Sequence, residues 1–360
     1  MLKFIIRRLF YGFLVLFGVI TIVFLLFNVL PGDPARMMLG QRTDISSIEA
    51  INKDLGLDKS LTTQYIGFLN DLSPISFHST TQPESYWFLD SLKYSPFTKL
   101  ATFSKKNSLV FKKPYLRRSY QSKRKVSEIL FDAFPKTALL ATVSILFALI
   151  VGMIIGITCA VKRNAFFNKI ALVFSVLGMS LPSFFAAILN AWIFAFVLVE
   201  FTGLNMFGSL YSVDDFGGGE YLDLKNLILP ALTLGIRPLA IVVELTRSSM
   251  LEVLSHDYIR TAKAKGLSFY KIVFKHALKN ALNPVITAVS GWFASLMAGA
   301  VFVEYVFDWK GVGVVIVDAL QNYDLPVIMG AVLFISVILV IINILVDIIY
   351  GLLDPRVRLI

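Results

Sequence analysis

Six long apolar runs leave this chain few folds to choose from. They lie at about Leu9–Leu30, Thr137–Val161, Ile170–Val199, Leu227–Met250, Val285–Phe307 and Pro326–Leu353. A helix needs about 20 mainly apolar residues to cross the hydrocarbon core of a bilayer. Inside that core every backbone N–H and C=O must find a partner, which a helix supplies within its own segment. Hydrophobic residues make up 56% of the chain, against the roughly 45–50% of a soluble domain. The expected fold class is therefore an all-α polytopic membrane protein with six transmembrane helices. The third run is long enough to hide a break at Pro182, and the sixth has length to spare for tilt. The N-terminus has the basic start and apolar run of a signal peptide. Pro31-Gly32-Asp33-Pro34 follows without a small-residue cleavage site, so the first run reads as a retained signal-anchor helix.

Charge orients the spans. Lys3, Arg7 and Arg8 precede the first run, and Lys162, Arg163 and Lys169 lie between the second and third. Arg247–Lys279 carries seven Lys/Arg against Glu252 and Asp257, and Arg356 and Arg358 close the chain. With six spans all four stretches fall on one side, while the opposite short loops are acidic. The positive-inside rule then makes both termini cytoplasmic. The net charge of +10 is thus a matter of topology and not a signature of nucleic-acid binding. The segment 31–136 has 16 bases against 10 acids, but exceeds the loop length for which the rule holds. The expected organisation is a first helix at 1–30, a large extracytoplasmic loop at 31–136, a five-helix core at 137–353 and a tail at 354–360. Within the large loop an insert from about Pro74 to Lys113 is basic and aromatic, with Tyr86, Trp87, Phe88, Tyr94, Phe97, Phe103 and Phe111. Such a mix can bind single strands; on the outer face of a membrane a structured lid or a subunit contact suits it better.

One stretch inside the core is polar where its neighbours are greasy: Asp257–Pro284, DYIRTAKAKGLSFYKIVFKHALKNALNP. It reads as two short helices hinged at Gly266, with Asp257 as N-cap of the first. In the second, Phe269, Ile272, Val273 and Ala277 share one face by helical spacing. Lys271, Lys275 and Lys279 line another, with His276 between them. Pro284 fits the first turn of a following helix. An amphipathic helix of this kind also suits a lipid surface.

The residues of this stretch resemble the cytoplasmic loop of ABC-importer permeases. That loop opens on Glu-Ala-Ala, has a central Gly and closes on Ile-x-Leu-Pro. Arg260, Thr261 and Ala262 stand at the opening, Gly266 at the glycine, and His276, Ala277, Leu278 and Lys279 at the close. Only Ala262, Gly266 and Leu278 fit the general form. RTAKAKG followed by KHALKNALNP is similar to the variant of dipeptide, oligopeptide and nickel permeases, of the first or B type. Other strings extend the resemblance: LPGDPA after the first span, GMSLPSF at Gly178–Phe184, LPALTLG at Leu229–Gly235, LTRSSMLEVL at Leu245–Leu254, AGAVFVEYVFDWKGVG and VDIIYGLLDPRVR. Lys310 stands where the family usually has proline. The resemblance implies a type I ABC importer permease fold and an ATPase-coupling loop at 251–284, with Arg260, Thr261, Ala262, Gly266, Phe269, Ile272, Val273, His276 and Leu278 at the contact. It implies a second homologous permease, two cytoplasmic ATPases that hold ATP and Mg, an extracytoplasmic solute-binding protein and a place in the bacterial inner membrane. No cofactor in this chain is implied.

Arg237 lies well inside the fourth run, where a cation costs roughly 2.5–3.5 kcal/mol. It either lines a solute path and meets a carboxylate, or pairs with an acid or snorkels toward the interface; Glu244 stands seven residues on. Glu304 and Asp347 sit near the ends of their runs, where polar anchoring is the ordinary reading. His78, His256 and His276 lack zinc spacing. No phosphate-binding Gly-x-x-x-x-Gly-Lys-Ser/Thr loop occurs, so ATP is not bound here by that route. No nucleophile elbow occurs either. A secondary transporter would need coupling acids near the midplane, and a channel or scaffold would need no docking loop.

Overall fold

The computed structural model describes residues 2–29, 58–81, 85–104, 107–162, 165–214 and 219–353. The predicted tail at 354–360 and the LPGDPA string lie outside them. Two compact units form, one from residues 1–132 with 315–340 and the other from 133–314 with 341–359.

The first unit begins with α1 (Leu2–Val29), the predicted first span. Beside it lies α2 (Leu61–Leu72), whose N-cap Ser60 accepts from the Thr63 N–H. Phe68 packs with Val23, Phe24, Met329 and Leu333, and Thr21 and Tyr65 share a hydroxyl hydrogen bond of 2.7 Å. The insert then folds as β1 (Ile75–Ser79), α3 (Ser91–Tyr94), β2 (Phe97–Ser104) and β3 (Asn107–Lys112). The strands form an antiparallel sheet in the order β1-β3-β2, with Ile75 opposite Phe111 and Phe77 opposite Leu109. An insert reading as a lid is thus a small β-domain within an otherwise helical chain. β-Branched and aromatic residues at alternate positions favour strands here.

One face of this sheet is buried, and polar side chains share it with Val110, which packs with Leu89 and Tyr94. Ser76, His78, Ser108 and Lys112 are each 2% exposed or less. The His78 ring lies tilted against that of Tyr94, 4.5 Å between ring centres. Lys112 donates to the Asp71 carbonyl at 2.6 Å and lies over the Tyr94 ring, while the Tyr94 hydroxyl donates to the Asp71 carboxylate. Burial pushes Lys112 down to about 8, against the pull of Asp71. Burial, helped by the Lys112 charge, pushes His78 down to about 4. An unfolded imidazole gains a proton as pH falls through its ordinary 6.5, whereas the folded one waits until about 4. Stability present above pH 6.5 is therefore lost progressively between those values. Hydrogen exchange of residues 75–112, corrected for intrinsic rates, is expected to accelerate several-fold from pH 7 to pH 5, and His78→Phe is expected to remove most of that dependence.

The second unit holds the rest of the membrane part. α4 (Val126–Val161), begun in the first unit, leads into α5 (Ala165–Ser180) and α6 (Ser183–Trp192). A wide π-turn at Ile193–Val197 and α7 (Val199–Thr202) follow. α5 and the α6 segment meet at 114° across Leu181-Pro182, the break expected in the third run. A hairpin of β4 (Tyr211–Val213) and β5 (Glu220–Leu222) precedes α8 (Lys225–Ser255). Next come α9 (Asp257–Ala264), α10 (Leu278–Gly299), α11 (Val301–Val306), α12 (Val312–Gln321) and α13 (Leu325–Leu353), the last two straddling the units. Against six expected spans, four described helices are long and apolar enough to cross a membrane, or five with the bent pair. The remaining run is divided at Ala300 between α10 and α11. Lys279, Asn280, Asn283, Thr287, Ser290 and Ser295 make α10 too polar to count by composition.

Small residues decide how α4 meets α8. A Cβ on Gly156 would come within 2.7 Å of Thr246 Cβ and 2.8 Å of the Val243 carbonyl oxygen, and one on Gly152 within 2.8 Å of a Val242 methyl. Gly291, also expected in a packing stripe, has nothing within 4 Å of that position. Gly156→Ala is expected to cost about 1–3 kcal/mol by overpacking, and Gly291→Ala close to nothing. Thermal melts of the purified variants separate the two.

Candidate functional site

The polar stretch is built on a hydrophobic base. Its entry is His256, whose extended backbone ends α8 and starts α9. The N-cap is therefore His256 and not Asp257, which sits inside the first turn and pairs with Arg260 at 3.3 Å on the open surface. α9 closes on Gly266, whose φ of 74° lies in the left-handed region. The Leu267 N–H reaches back to the Ala262 carbonyl and the Gly266 N–H to that of Lys263. Glycine adopts this conformation at no steric cost, which makes it the natural end of such a helix.

Beyond the turn the chain does not form a separate second helix. Helix resumes at Phe269, widens to a π-helix over Lys271–Ala277 and runs straight into α10. Pro284 consequently lies inside a continuous helix and not in a first turn. Ile259, Ala262, Ile272, Val273, Ala277 and Ala281 are buried together against Ala160 of α4 and Met250 and Val253 of α8, with Leu267 and Leu278 packed around them. The Tyr258 hydroxyl accepts from Asn280 at 2.8 Å, bracketing α9 to α10.

This base brings together Ile272, Val273 and Ala277 of the four residues expected on one face, but not Phe269, and it takes in Ala262 and Leu278 as well. Phe269 is 51% exposed, with Tyr270 at 75% and Phe274 at 57%. Phe269 lies before the π-turn of Lys271–Ala277, whose own Ile272, Val273 and Ala277 stay buried together. Arg260, Thr261, Lys271 and Lys275 are exposed beside the aromatics, and His276 is half-buried. The sequence reading overlooks Tyr270 and Phe274, although two aromatics set among lysines are an available signal.

The other candidates are scattered. Arg237 is exposed and donates to the Met179 carbonyl at 3.3 Å, just before the break at Pro182. No ion pair joins it to Glu244 among the described residues. Glu304 is no helix-end anchor: it is fully buried and accepts from the Gly313 N–H at 2.7 Å. Beside it Thr137 accepts from the Val312 N–H at 2.9 Å. Among the described residues no three His, Cys, Asp or Glu are placed to hold a metal.

Residues 152–359 match the family described as the binding-protein-dependent transport system inner membrane component, and residues 1–82 match the N-terminal segment of such membrane components. The chain belongs to this family. It is 34% identical to the di/tripeptide transport system permease protein DppB of Pseudomonas aeruginosa, over 99% of each chain. It is also 34% identical to the dipeptide transport system permease protein DppB of Bacillus subtilis, over 100% of this chain and 99% of that one. The Escherichia coli K12 protein of the same description is 32% identical over 99% of each. Among solved structures, an inward-facing form of the MetNI methionine ABC transporter superposes with a TM-score of 0.50 at 17% identity. It covers 63% of this chain and 97% of that chain, and the likeness is one of fold. The expected permease fold is borne out. The permease is a multi-pass inner-membrane subunit of an ABC importer, not itself an enzyme, and works with ATPase and permease partners.

Proposed function

We propose that this permease forms half of the path by which an ATP-driven importer takes up di- or oligopeptides, and that Asp257–Pro284 couples it to a cytoplasmic ATPase. The names of its full-length relatives support the solute class. One observation carries the coupling role: exposed Phe269, Tyr270 and Phe274 project among lysines from a base locked to α4 and α8. Exposed aromatics beside cations on a rigid support suit a protein contact.

Both termini are then cytoplasmic, 31–136 is extracytoplasmic, and 137–353 is the core. A second homologous permease completes the path, and an extracytoplasmic binding protein delivers the solute. ATP and Mg reside in the two ATPase subunits. Closure of the ATPase pair pushes on the loop around Gly266. Because α9 and the π-turn pack on α4 and α8 through buried aliphatic side chains, the push moves those helices instead of bending the loop. The bundle then rocks between inward- and outward-open states. Arg237, exposed at the helix break, is a candidate contact for a peptide carboxylate along that path; Glu244 and Glu304 are the other intramembrane polar candidates.

The test is purification of the tagged chain in mild detergent with mass spectrometry of its companions. A P-loop ATPase and a second permease in comparable amounts are expected. A chain that purifies alone and transports in liposomes without ATP would replace this reading with a secondary transporter.

A further inference from the structure

The β1–β3–β2 sheet buries several polar side chains and leaves a row of apolar ones open. An antiparallel sheet beside water ordinarily buries its apolar face and exposes its polar one. Here the buried face carries Ser76, His78, Ser108 and Lys112 beside the apolar Val110, while Ile75, Phe77 and Phe111 on the other are 53%, 58% and 52% exposed. Phe103, 67% exposed, joins them with its ring 6.1 Å from that of Phe77. Ile75 pairs with Phe111 across the ladder, so these residues share one continuous face. Exposed apolar surface of this kind marks a contact.

The height of the sheet indicates which contact. Thr21 bonds Tyr65, and Phe24 meets Phe68 at 5.8 Å, so α2 climbs beside α1 in the same direction. Thr21 lies seven residues before Asn28, the end of the apolar span, which is about 10 Å of helix. Asn70, more than a turn above Tyr65, therefore lies near the end of that span. Its side-chain amide brackets the backbone of Phe77, donating to the carbonyl at 2.9 Å and accepting from the N–H at 2.8 Å. The sheet thus starts at the membrane boundary. Lys113 is exposed just beyond Phe111 and Lys112 at the end of β3, and aromatics beside a cation suit the headgroup region of anionic lipid.

We infer that the open face of this sheet rests on the outer leaflet of the bilayer, with Phe77, Phe103 and Phe111 at acyl-chain depth and Lys113 among phosphates. The inference rests on the orientation proposed above. It gives the insert a role as a lipid-seated platform beside the first span. The test uses the full chain in nanodiscs of phosphatidylethanolamine and phosphatidylglycerol. Cys159, the sole cysteine, is replaced in C159A, and bimane is attached at F103C, at F77C or at the exposed polar position K123C. Nitroxide carried near the headgroup of the lipid is expected to quench the probe at F103C about threefold more than at K123C, and aqueous iodide to do the reverse. F77C should repeat the result if F103C folds poorly. Iodide quenching at 103 and 77 equal to that at 123 would overturn the inference, since the face would be in water. Protection from both quenchers would overturn it too, since protein would then cover the face. Labelling of K123C in intact cells by a membrane-impermeant maleimide tests the orientation separately, so failure there is distinguishable from failure of lipid contact.

Discussion

Gly266→Val is expected to cut peptide uptake about tenfold or more while leaving membrane insertion and subunit assembly intact, with ATP hydrolysis no longer tied to uptake. The cause is backbone, not space. Nothing lies within 4 Å of a Cβ at this position, but its φ is 74°. A left-handed conformation costs an L-residue roughly 1–2 kcal/mol, and Asn adopts it more readily than most. A branched side chain suffers more, so the turn between α9 and the π-helix should reopen and detach the lever from its base. Loss of about 1.4 kcal/mol in a coupling equilibrium is already tenfold. Gly266→Asn should therefore keep most of the uptake. Measuring ATP hydrolysis and uptake in proteoliposomes for both variants decides the matter. Normal uptake in Gly266→Val would sink the lever model, and equal loss in both would point to the glycine surface instead of its conformation.

Trp309→Ala should be the most damaging single change to stability, at about 3–5 kcal/mol. Trp309 is fully buried, and its indole N–H donates to the Lys136 carbonyl at 3.0 Å. It anchors the corner where Glu304 receives the Gly313 N–H and Thr137 the Val312 N–H. Those two acceptors satisfy backbone donors at the start of α12 that the helix itself leaves unpaired. Trp309→Phe retains most of the volume but gives up the hydrogen bond to the Lys136 carbonyl, and should cost about 1–2 kcal/mol. Melting of the detergent-purified protein should rank wild type above Phe and Phe above Ala. A Phe variant as unstable as Ala would assign the effect to the hydrogen bond over the packing.

The two changes probe features of different legibility. Gly266 is visible as a glycine between two helical patterns, because local turn chemistry is written in adjacent residues. Glu304 is not. An acid near the end of an apolar run reads as an anchor, and only the fold of residues 300–313 back toward Thr137 buries it. The bend at Pro182 is legible for the same local reason as Gly266, since proline removes a donor from the helix it interrupts. The division of the fifth run at Ala300 is not, because no proline marks it.

By itself the sequence determined the membrane class, the span candidates, their orientation as an expectation and the position of the polar loop. Those follow from segment length, apolar content and the placement of charge, which are additive along the chain. Tertiary structure alone decided which faces are used. Phe269 stands exposed while Ile272, Val273 and Ala277 are buried, and the insert became a sheet with His78 and Lys112 on its buried face. Such outcomes depend on partners distant in sequence: Asp71 and Tyr94 shelter Lys112, and Met250 and Ala160 receive Ile272 and Val273. Periodicity can say that a face is apolar. Which medium covers that face depends on where the rest of the chain, and the bilayer, come to lie.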